Sequence, residues 1–308
     1  MVCFLMGSFV HAQVSDIQTA YLEIEPTFPQ PNSVITVTLN AYALNMSGAS
    51  IFWFVDGTER ESARDTYSTS FTLGEVGSVT DIAVQIQRPG DAPLVLRQEI
   101  RANSVDLVIE ADTTTPPFYK GRALPAPDET IRAVAVTHTG AAVDSEIYTY
   151  TWRLGQKVLG GTGTRGGDVV TFTMPRRSTL LRVEVTDDSG IYVGGQSLEL
   201  QPNNAEVYFY KKNPLRGLSQ IALGENVVIP QGEMSLYAGV YNVGGDIFAQ
   251  APALSWSIDK TRTDNYTDRG QSITLQGEAG TSAQVDFSLR NTRSLTQFAD
   301  GSFSIFFQ

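Results

Sequence analysis

The stretch Ser50-Ile-Phe-Trp-Phe-Val-Asp-Gly57 combines an apolar, β-branched run, a tryptophan and a turn signal, and similar runs surround two further tryptophans of this 308-residue chain. Trp152 lies 99 residues after Trp53, and Trp256 lies 104 residues after Trp152. Each interval is about the length of one β-sandwich domain. A near-constant period with the same landmark is typical of a repeat architecture, so we expect Trp53, Trp152 and Trp256 to occupy equivalent core positions.

Alternating apolar runs accompany each tryptophan at similar distances along the chain. Sixteen residues before the tryptophans lie Val37, Val136 and Val240. After them come Phe71, Phe172 and Leu275, and then the alternating runs 83–86, 181–185 and 283–287. A period of two indicates β-strands with one packed face.

Turn signals separate these predicted strands. Proline followed by a turn residue precedes the first strand of each copy, at Pro31-Asn32, Pro127-Asp128 and Pro230-Gln-Gly232. Hairpin-type signals occur at Asp56-Gly57, Asp188-Ser-Gly190 and Asp300-Gly301. We find no long helical stripe, although 60–64 could hold one short turn. The sequence therefore predicts an all-β fold of three tandem sandwich domains, at about 13–102, 103–202 and 203–308.

The chain resembles bacterial Ig-like domains of the PKD type. Trp53-Phe-Val-Asp56-Gly57 approximates the Trp-x-Phe-Gly-Asp-Gly signature of that family, and Val183-Glu-Val-Thr-Asp-Asp-Ser-Gly190 resembles its Val-x-Val-x-Asp-x-x-Gly ending. The copies depart from the signature, since the first lacks the glycine before Asp56. The second has Arg153-Leu-Gly155 there, and the third has Ser257-Ile-Asp259-Lys260. The resemblance implies an extracellular, non-catalytic module used in adhesion, spacing or scaffolding.

The N-terminus predicts export. Residues 1–12 contain a short apolar run, Val2 to Val10, and end with small residues that suit cleavage after Ala12. No Lys or Arg precedes the run, so we expect the true start to lie upstream. The one cysteine, Cys3, falls in this predicted signal peptide, which leaves a mature chain without disulfides. We therefore expect a bacterial protein that is extracellular, at the cell surface or periplasmic. We expect no transmembrane segment in the mature chain, and 303–307 is predicted to be a final strand.

Charge and composition narrow the classes of partner. The chain has 33 acidic and 22 basic residues, a net charge of −11, which argues against binding to nucleic acid or to anionic lipid. We expect a protein or a polysaccharide of the cell envelope as partner.

The residue inventory argues against enzymatic activity. His138 is the one histidine left after signal removal, so no base is paired with a nucleophile and no zinc site with His or Cys ligands can form. We expect no catalytic residues and no cofactor. Calcium is the metal that the inventory permits, with Asp187, Asp188, Asp264 and Asp268 as weak candidate ligands, although solvated turns explain these carboxylates better.

Two function hypotheses remain open. The first is a spacer, scaffold or adhesion protein; the alternative is a polysaccharide- or peptidoglycan-binding accessory protein that uses exposed aromatic residues. Tyr208 and Tyr210 are a weak candidate binding patch, because alternation places them on one face of a strand and Phe209 on the other. Three or more aromatic residues on one open face would favour the alternative. The apolar segment 213–224 is expected to pack onto the third or the second domain. The last strand, 302–308, has no charged residue and could pair with another chain.

Overall fold

A computed structural model describes residues 20–140, 145–230, 233–245, 247–250, 252–292 and 296–308. The predicted signal peptide, 1–12, lies outside these residues, as do residues 231–232 of the third predicted turn signal. The described part of the chain is all-β: it contains strands and short 3-10 helices, and no α-helix. The 3-10 helices span Glu61–Ala63, Ser145–Ile147, Ile247–Gln250 and Asp268–Gly270. The first of them lies in the segment 60–64 for which the sequence predicts a short turn.

The chain divides into two compact units. The limits of unit 1 are Met1–Ser104 with Thr137–Val143, and those of unit 2 are Val105–Val136 with Asp144–Gln308. The second and third predicted domains thus both fall largely in unit 2. The division into three domains stays a prediction.

Unit 1 contains seven described strands in two sheets. The strands are β1 Tyr21–Glu25, β2 Val34–Asn40, β3 Ser50–Val55, β4 Thr58–Glu59, β5 Ser68–Thr72, β6 Val79–Gln87 and β7 Leu94–Arg101. The sheet orders are β1-β2-β5 and β4-β3-β6-β7. This arrangement corresponds to strands A, B and E opposite C′, C, F and G of an Ig-like sandwich. Apolar residues of both sheets form one buried cluster that includes Trp53.

Unit 2 repeats this strand order in its first half. The strands are β8 Ser104–Ala111, β9 Thr130–His138, β10 Thr149–Leu154, β11 Lys157–Arg165, β12 Val169–Thr173, β13 Thr179–Thr186 and β14 Tyr192–Leu200. Residues 104 and 137–138, at the ends of β8 and β9, fall within the limits of unit 1. They form sheets of order β12-β9-β8 and β11-β10-β13-β14. Trp152, on β10, is buried.

The second half of unit 2 has the same plan with three additional strands. The strands are β15 Glu206–Asn213, β16 Gly217–Ala222, β17 Asn226–Ile229, β18 Glu233–Tyr241, β19 Ala253–Ile258, β20 Thr261–Thr263, β21 Tyr266–Thr267, β22 Ser272–Gln276, β23 Ser282–Arg290 and β24 Phe298–Phe307. The sheet orders are β16-β15-β18-β22-β21 and β17-β24-β23-β19-β20. Buried residues between Phe209 and Phe307, including Trp256, form one cluster.

The three tryptophans occupy equivalent sites. All three rings are buried, and they pair across the sheet with Val84, Val183 and Phe287, each 31 residues downstream. Each indole N–H donates to a backbone carbonyl 13 to 15 residues ahead, at 2.8–2.9 Å, namely that of Thr66, Gly167 or Gly270. A buried indole N–H needs such a partner, so the same contact anchors the ring in each copy.

The position three residues after each tryptophan is also equivalent. Asp56, Gly155 and Asp259 have φ values of 51°, 57° and 47°. Their N–H groups each donate at 2.8 Å to a carbonyl 25 residues ahead, that of Asp81, Leu180 or Gln284. Aspartate and glycine tolerate this left-handed conformation better than most residues. The exchange of aspartate for glycine at Gly155 therefore keeps the backbone geometry of the other two copies.

Two details of the sequence alignment are wrong. Val136 is 41% exposed, because Ala133 and Ala135 are the residues of β9 that face the core. Asp300-Gly301 forms no hairpin but lies inside β24. A Cβ on Gly301 would lie 2.8 Å from Cβ of Val207, so the glycine permits a close contact between strands rather than a turn.

Candidate functional site

Strand β15 presents tyrosines on the face that points away from the core. Phe209 is buried, with its ring centroid 5.9 Å from that of Trp256 and 4.5 Å from that of Phe303. Tyr208 and Tyr210 alternate with it and lie on the opposite face, as the sequence predicts. Their environments differ, since Tyr208 is 44% exposed and Tyr210 only 4%.

The neighbouring strand β18 adds to this outer face. In the antiparallel register, Glu206 is opposite Tyr241 and Tyr208 is opposite Gly239. Because Gly239 has no side chain, Tyr210 and Pro116 can lie close to its Cα. A Cβ at Gly239 would lie 2.7 Å from Cε2 of Tyr210 and 3.0 Å from Cγ of Pro116.

Pro116 belongs to a wall segment, residues 112–125, that connects β8 to β9 and packs on this face. Its start is held by backbone hydrogen bonds to the end of β18 and the residues that follow. The N–H of Thr114 donates to the carbonyl of Val243 at 2.7 Å, and the N–H of Gly245 donates to that of Asp112 at 2.9 Å. The ring of Phe118 then packs edge-on against Tyr210, with 4.8 Å between centroids, which explains the burial of Tyr210.

The wall segment and the sheet enclose a cleft of about 380 Å³, which we call the tyrosine cleft. This volume lies in the range of small-molecule sites. The cleft is lined by Thr115, Tyr119, Arg122, Leu124, Glu206, Tyr208, Tyr210, Gln220, Ala222, Tyr241 and Asn242. Four tyrosine rings are therefore combined with several polar side chains in one concave surface.

Tyr241 holds the aromatic part of the cleft together. Its ring is perpendicular to that of Tyr119, with centroids 5.7 Å apart, and to that of Tyr208, with centroids 5.6 Å apart. These are favourable edge-to-face distances. The hydroxyls of Tyr241 and Tyr210 are hydrogen-bonded at 2.8 Å. Tyr119 and Tyr208 are 43% and 44% exposed, so each still offers a large part of its ring to a ligand.

The polar groups of the cleft carry one negative and one positive charge. The hydroxyl of Tyr208 donates to Oε2 of Glu206 at 2.8 Å, and this hydrogen bond to the carboxylate raises the pKa of Tyr208. Burial raises the pKa of Tyr210. Both phenols are thus neutral at physiological pH and can exchange hydrogen bonds with a ligand. Arg122 is the only cation among the described residues that line the cleft.

The calcium candidates already have protein donors. Oδ1 of Asp187 accepts the N–H groups of Ser189 and Ile191, both at 2.9 Å. Asp188 forms an ion pair with Arg165 at 3.2 Å, and Asp264 forms one with Arg262 at 3.6 Å.

Asp268 has two partners of its own. It forms an ion pair with Lys212 and accepts a hydrogen bond from Ser272 at 2.6 Å. Lys212, followed by Ser272, lowers the pKa of this carboxyl. In the part of the chain that the structure describes, no three residues among His, Cys, Asp and Glu are grouped so that they could hold a metal ion. Calcium binding by Asp187, Asp188, Asp264 and Asp268 stays a prediction.

Removal of divalent ions is therefore expected to leave stability unchanged. The melting temperature of the full chain in EDTA should differ by less than about 1 °C from its melting temperature in calcium. An ion that binds the folded state would raise the melting temperature, so a small difference indicates that no such ion is bound. Differential scanning calorimetry measures this. A clear rise in melting temperature on adding calcium, absent in an Asp268→Asn or Asp187→Asn variant, would contradict the expectation and identify the site.

The predicted sites of packing and pairing near the C-terminus need correction. The segment 213–224 does not pack back as a whole: it forms a hairpin with β15 through β16, and Leu215 and Ile221 are exposed. Leu223 alone of its apolar residues packs against the core cluster. The last strand is not a free edge, because β17 pairs with it in parallel from Ser304 to Phe307. The prediction that the chain self-associates through this strand is therefore wrong for Ser304 to Phe307.

Sequence reasoning missed Tyr119, Tyr241 and the wall segment. A signal was present in Thr113-Thr-Thr-Pro-Pro-Phe-Tyr119, where aromatic residues follow a Pro-Pro pair in a long connection. The glycine inside the apolar run of β18 was a second signal, since a strand glycine often marks close approach of another segment. His138, the remaining histidine, is exposed at the end of β9 and lies outside the tyrosine cleft. Among the described residues, we find no helix of the length and hydrophobicity needed to cross a membrane.

The chain matches no protein-family model and no curated protein. Among solved structures, it is similar to the SGBP-B protein of the mixed-linkage glucan utilization locus of Bacteroides ovatus, in complex with a heptasaccharide. The identity is 13%, the coverage is 94% of this chain and 70% of that one, and the TM-score is 0.25. The three N-terminal domains of the outer capsid protein Hoc of bacteriophage RB49 give 12% identity, 94% and 98% coverage and a TM-score of 0.25. Sidekick-1 immunoglobulin domains 1–5 give 12% identity, coverage of 93% of this chain and 59% of that one, and a TM-score of 0.29. At these values, the fold assignment depends on the strand order described above.

Proposed function

We propose that this protein is a non-catalytic, carbohydrate-binding protein of a bacterial cell envelope, built from tandem Ig-like, PKD-type modules. The tyrosine cleft carries the proposal. Three of its tyrosines, Tyr119, Tyr208 and Tyr241, share one concave surface. Two of these rings are exposed and the third, Tyr241, is half-buried and perpendicular to both, so the cluster supports polysaccharide binding without forming the three aligned exposed rings described above.

The chemistry of the cleft suits a sugar. A pyranose ring has an apolar C–H face that can lie on an aromatic ring, and hydroxyls at its edge that both donate and accept hydrogen bonds. Tyr119 and Tyr208 offer the ring faces. Around them, Glu206, Gln220 and Asn242 offer side-chain acceptors and donors.

The same cleft lacks the groups for hydrolysis of a glycosidic bond. That reaction normally uses two carboxyl groups on either side of the scissile bond. Among the described residues that line the cleft, Glu206 is the only one with a carboxyl group. The composition of the cleft therefore supports binding rather than turnover.

A role as spacer or adhesion element is the second candidate and is compatible with the first. It is favoured by the repeated sandwich plan, which occurs in unit 1 and in both halves of unit 2. The export that the N-terminal residues predict would place these modules outside the cytoplasm, at the cell surface or in the periplasm.

Binding can be measured by affinity electrophoresis of the full chain in native gels that contain β-glucan, mannan, xylan or solubilised peptidoglycan. At least one of these is expected to retard the protein. Tyr119→Ala and Tyr208→Ala should each weaken binding about tenfold, since loss of one aromatic stacking contact costs on the order of 1–1.5 kcal/mol.

The matched control is Tyr42→Ala. Tyr42 is 89% exposed and belongs to unit 1, so its loss should leave the retardation unchanged. Urea unfolding of each variant checks that the fold is intact. The proposal is wrong if none of the polysaccharides retards the full chain, or if both cleft variants bind as the wild type does.

A further inference from the structure

Glu206 is an exposed residue that lines the tyrosine cleft and is held in place there. It is the first residue of β15 and is paired across the sheet with Tyr241. Its carboxylate is anchored through Oε2, which accepts the hydroxyl of Tyr208. Its other oxygen, Oε1, has no hydrogen-bond partner among the described residues. One acceptor oxygen is therefore held in place and is free to receive a hydroxyl from a ligand.

The negative charge of Glu206 is not neutralised locally. Arg122 lines the same cleft but forms no ion pair with Glu206, and no other described residue pairs with either charge. Both side chains are exposed, so solvent screens both charges, but Tyr208 holds the carboxylate of Glu206 in place, whereas no hydrogen bond to a described residue holds the guanidinium of Arg122. The chain as a whole has a net charge of −11. A ligand that carries its own carboxylate would thus meet a fixed like charge in the cleft and a negative field around it.

We propose that Glu206 makes the tyrosine cleft selective for uncharged sugars over acidic ones. This inference rests on the proposed carbohydrate-binding function and names the class of sugar. A hydroxyl of a neutral sugar donates to Oε1 of Glu206, while the ring lies against Tyr119 or Tyr208. A uronic acid of the same shape places a carboxylate against that oxygen, and binding weakens because like charges repel.

The test compares the affinity of the full chain for polygalacturonate, for its methyl ester and for β-glucan, mannan and xylan. Polygalacturonate and its methyl ester differ in charge while they share one backbone. The wild type should bind the best neutral polysaccharide at least tenfold more tightly than polygalacturonate. It should also bind the methyl ester more tightly than the acid. Glu206→Gln keeps the size of the side chain and should raise the affinity for polygalacturonate at least threefold, which narrows the preference.

Two controls separate the role of Glu206 from the net charge. Glu225→Gln removes the same charge at an exposed position outside the cleft and should leave the preference unchanged. Added salt should narrow the preference of the wild type more than that of Glu206→Gln. The selectivity is overturned, and the carbohydrate-binding function kept, if the wild type binds polygalacturonate as tightly as the neutral polysaccharides or if Glu206→Gln leaves the ratio unchanged. Absence of binding to every polysaccharide overturns both.

Discussion

Replacement of Trp256 by alanine is expected to lower the free energy of unfolding of unit 2 by about 3–5 kcal/mol. The indole ring is fully buried, and its centroid lies 4.8 Å from that of Phe287 and 5.9 Å from that of Phe209. Truncation therefore leaves a large cavity between the two sheets of the second half of unit 2. It also removes the donor to the carbonyl of Gly270, whose residue is itself buried. An unsatisfied buried carbonyl adds to the cost of the cavity.

Two further variants divide this loss into its parts. Trp256→Phe keeps an aromatic ring and removes the N–H, so it should cost less than Trp256→Ala. Phe306→Ala removes an exposed aromatic ring from β24, a strand of the same sheet, and should cost less than about 1 kcal/mol. Urea unfolding followed by circular dichroism measures all three. If Trp256→Ala lowers the free energy of unfolding no more than Phe306→Ala does, then the Trp256 ring does not stabilise the packing of the two sheets. The three tryptophans would then not be equivalent core residues in their contribution to stability.

The repeat could be predicted from sequence because its landmarks are short-range. A tryptophan in an apolar run and an alternating strand about 30 residues on are both visible as residue types along the chain. The structure confirms these in each copy. Gly155, where the other two copies have aspartate, has a φ of 57° and keeps the same backbone contact, so glycine preserves the conformation that aspartate provides in those copies.

The alignment error at Val136 arose because the distance between two equivalent strands differs among the copies. The register shows that Ile35, Ile131 and Met234 are equivalent, because each pairs with Phe71, Phe172 or Leu275 on the adjacent strand. These residues lie 18, 21 and 22 positions before their tryptophans. The connection to the tryptophan strand is therefore longer in the second and third copies, and a fixed spacing selected the exposed Val136.

The tyrosine cleft could be predicted only in part, because half of it comes from a distant segment. Alternation places Tyr208 and Tyr210 on one face, but nothing near them in sequence predicts what covers Tyr210. The cover is Phe118, which precedes Tyr210 by 92 residues. Contacts of this kind depend on how the wall segment pairs with the end of β18, and that pairing appears only in the structure.

Gly239→Ala is expected to damage the tyrosine cleft, because Gly239 lies against Tyr210, one of its lining residues. The new Cβ would lie 2.7 Å from Cε2 of Tyr210 and 3.0 Å from Cγ of Pro116, both closer than carbon atoms pack. Either the Tyr210 ring or the wall segment must move. Such overpacking typically costs about 1–3 kcal/mol of stability.

The movement should also reach the ligand. Tyr210 is hydrogen-bonded to Tyr241, and Tyr241 positions the rings of Tyr119 and Tyr208. We therefore expect Gly239→Ala to weaken polysaccharide binding at least tenfold and to change the near-ultraviolet circular dichroism of the tyrosines. Gly224→Ala is the matched control, since a Cβ there meets no atom within 4 Å and φ is not positive. Because glycine to alanine at such a site restricts only the unfolded chain, Gly224→Ala should be neutral or slightly stabilising. If Gly239→Ala and Gly224→Ala have the same stability and the same affinity for polysaccharide, then the wall segment does not need the space beside Gly239. The contact of Gly239 with Tyr210 and Pro116 would then not determine the shape of the cleft.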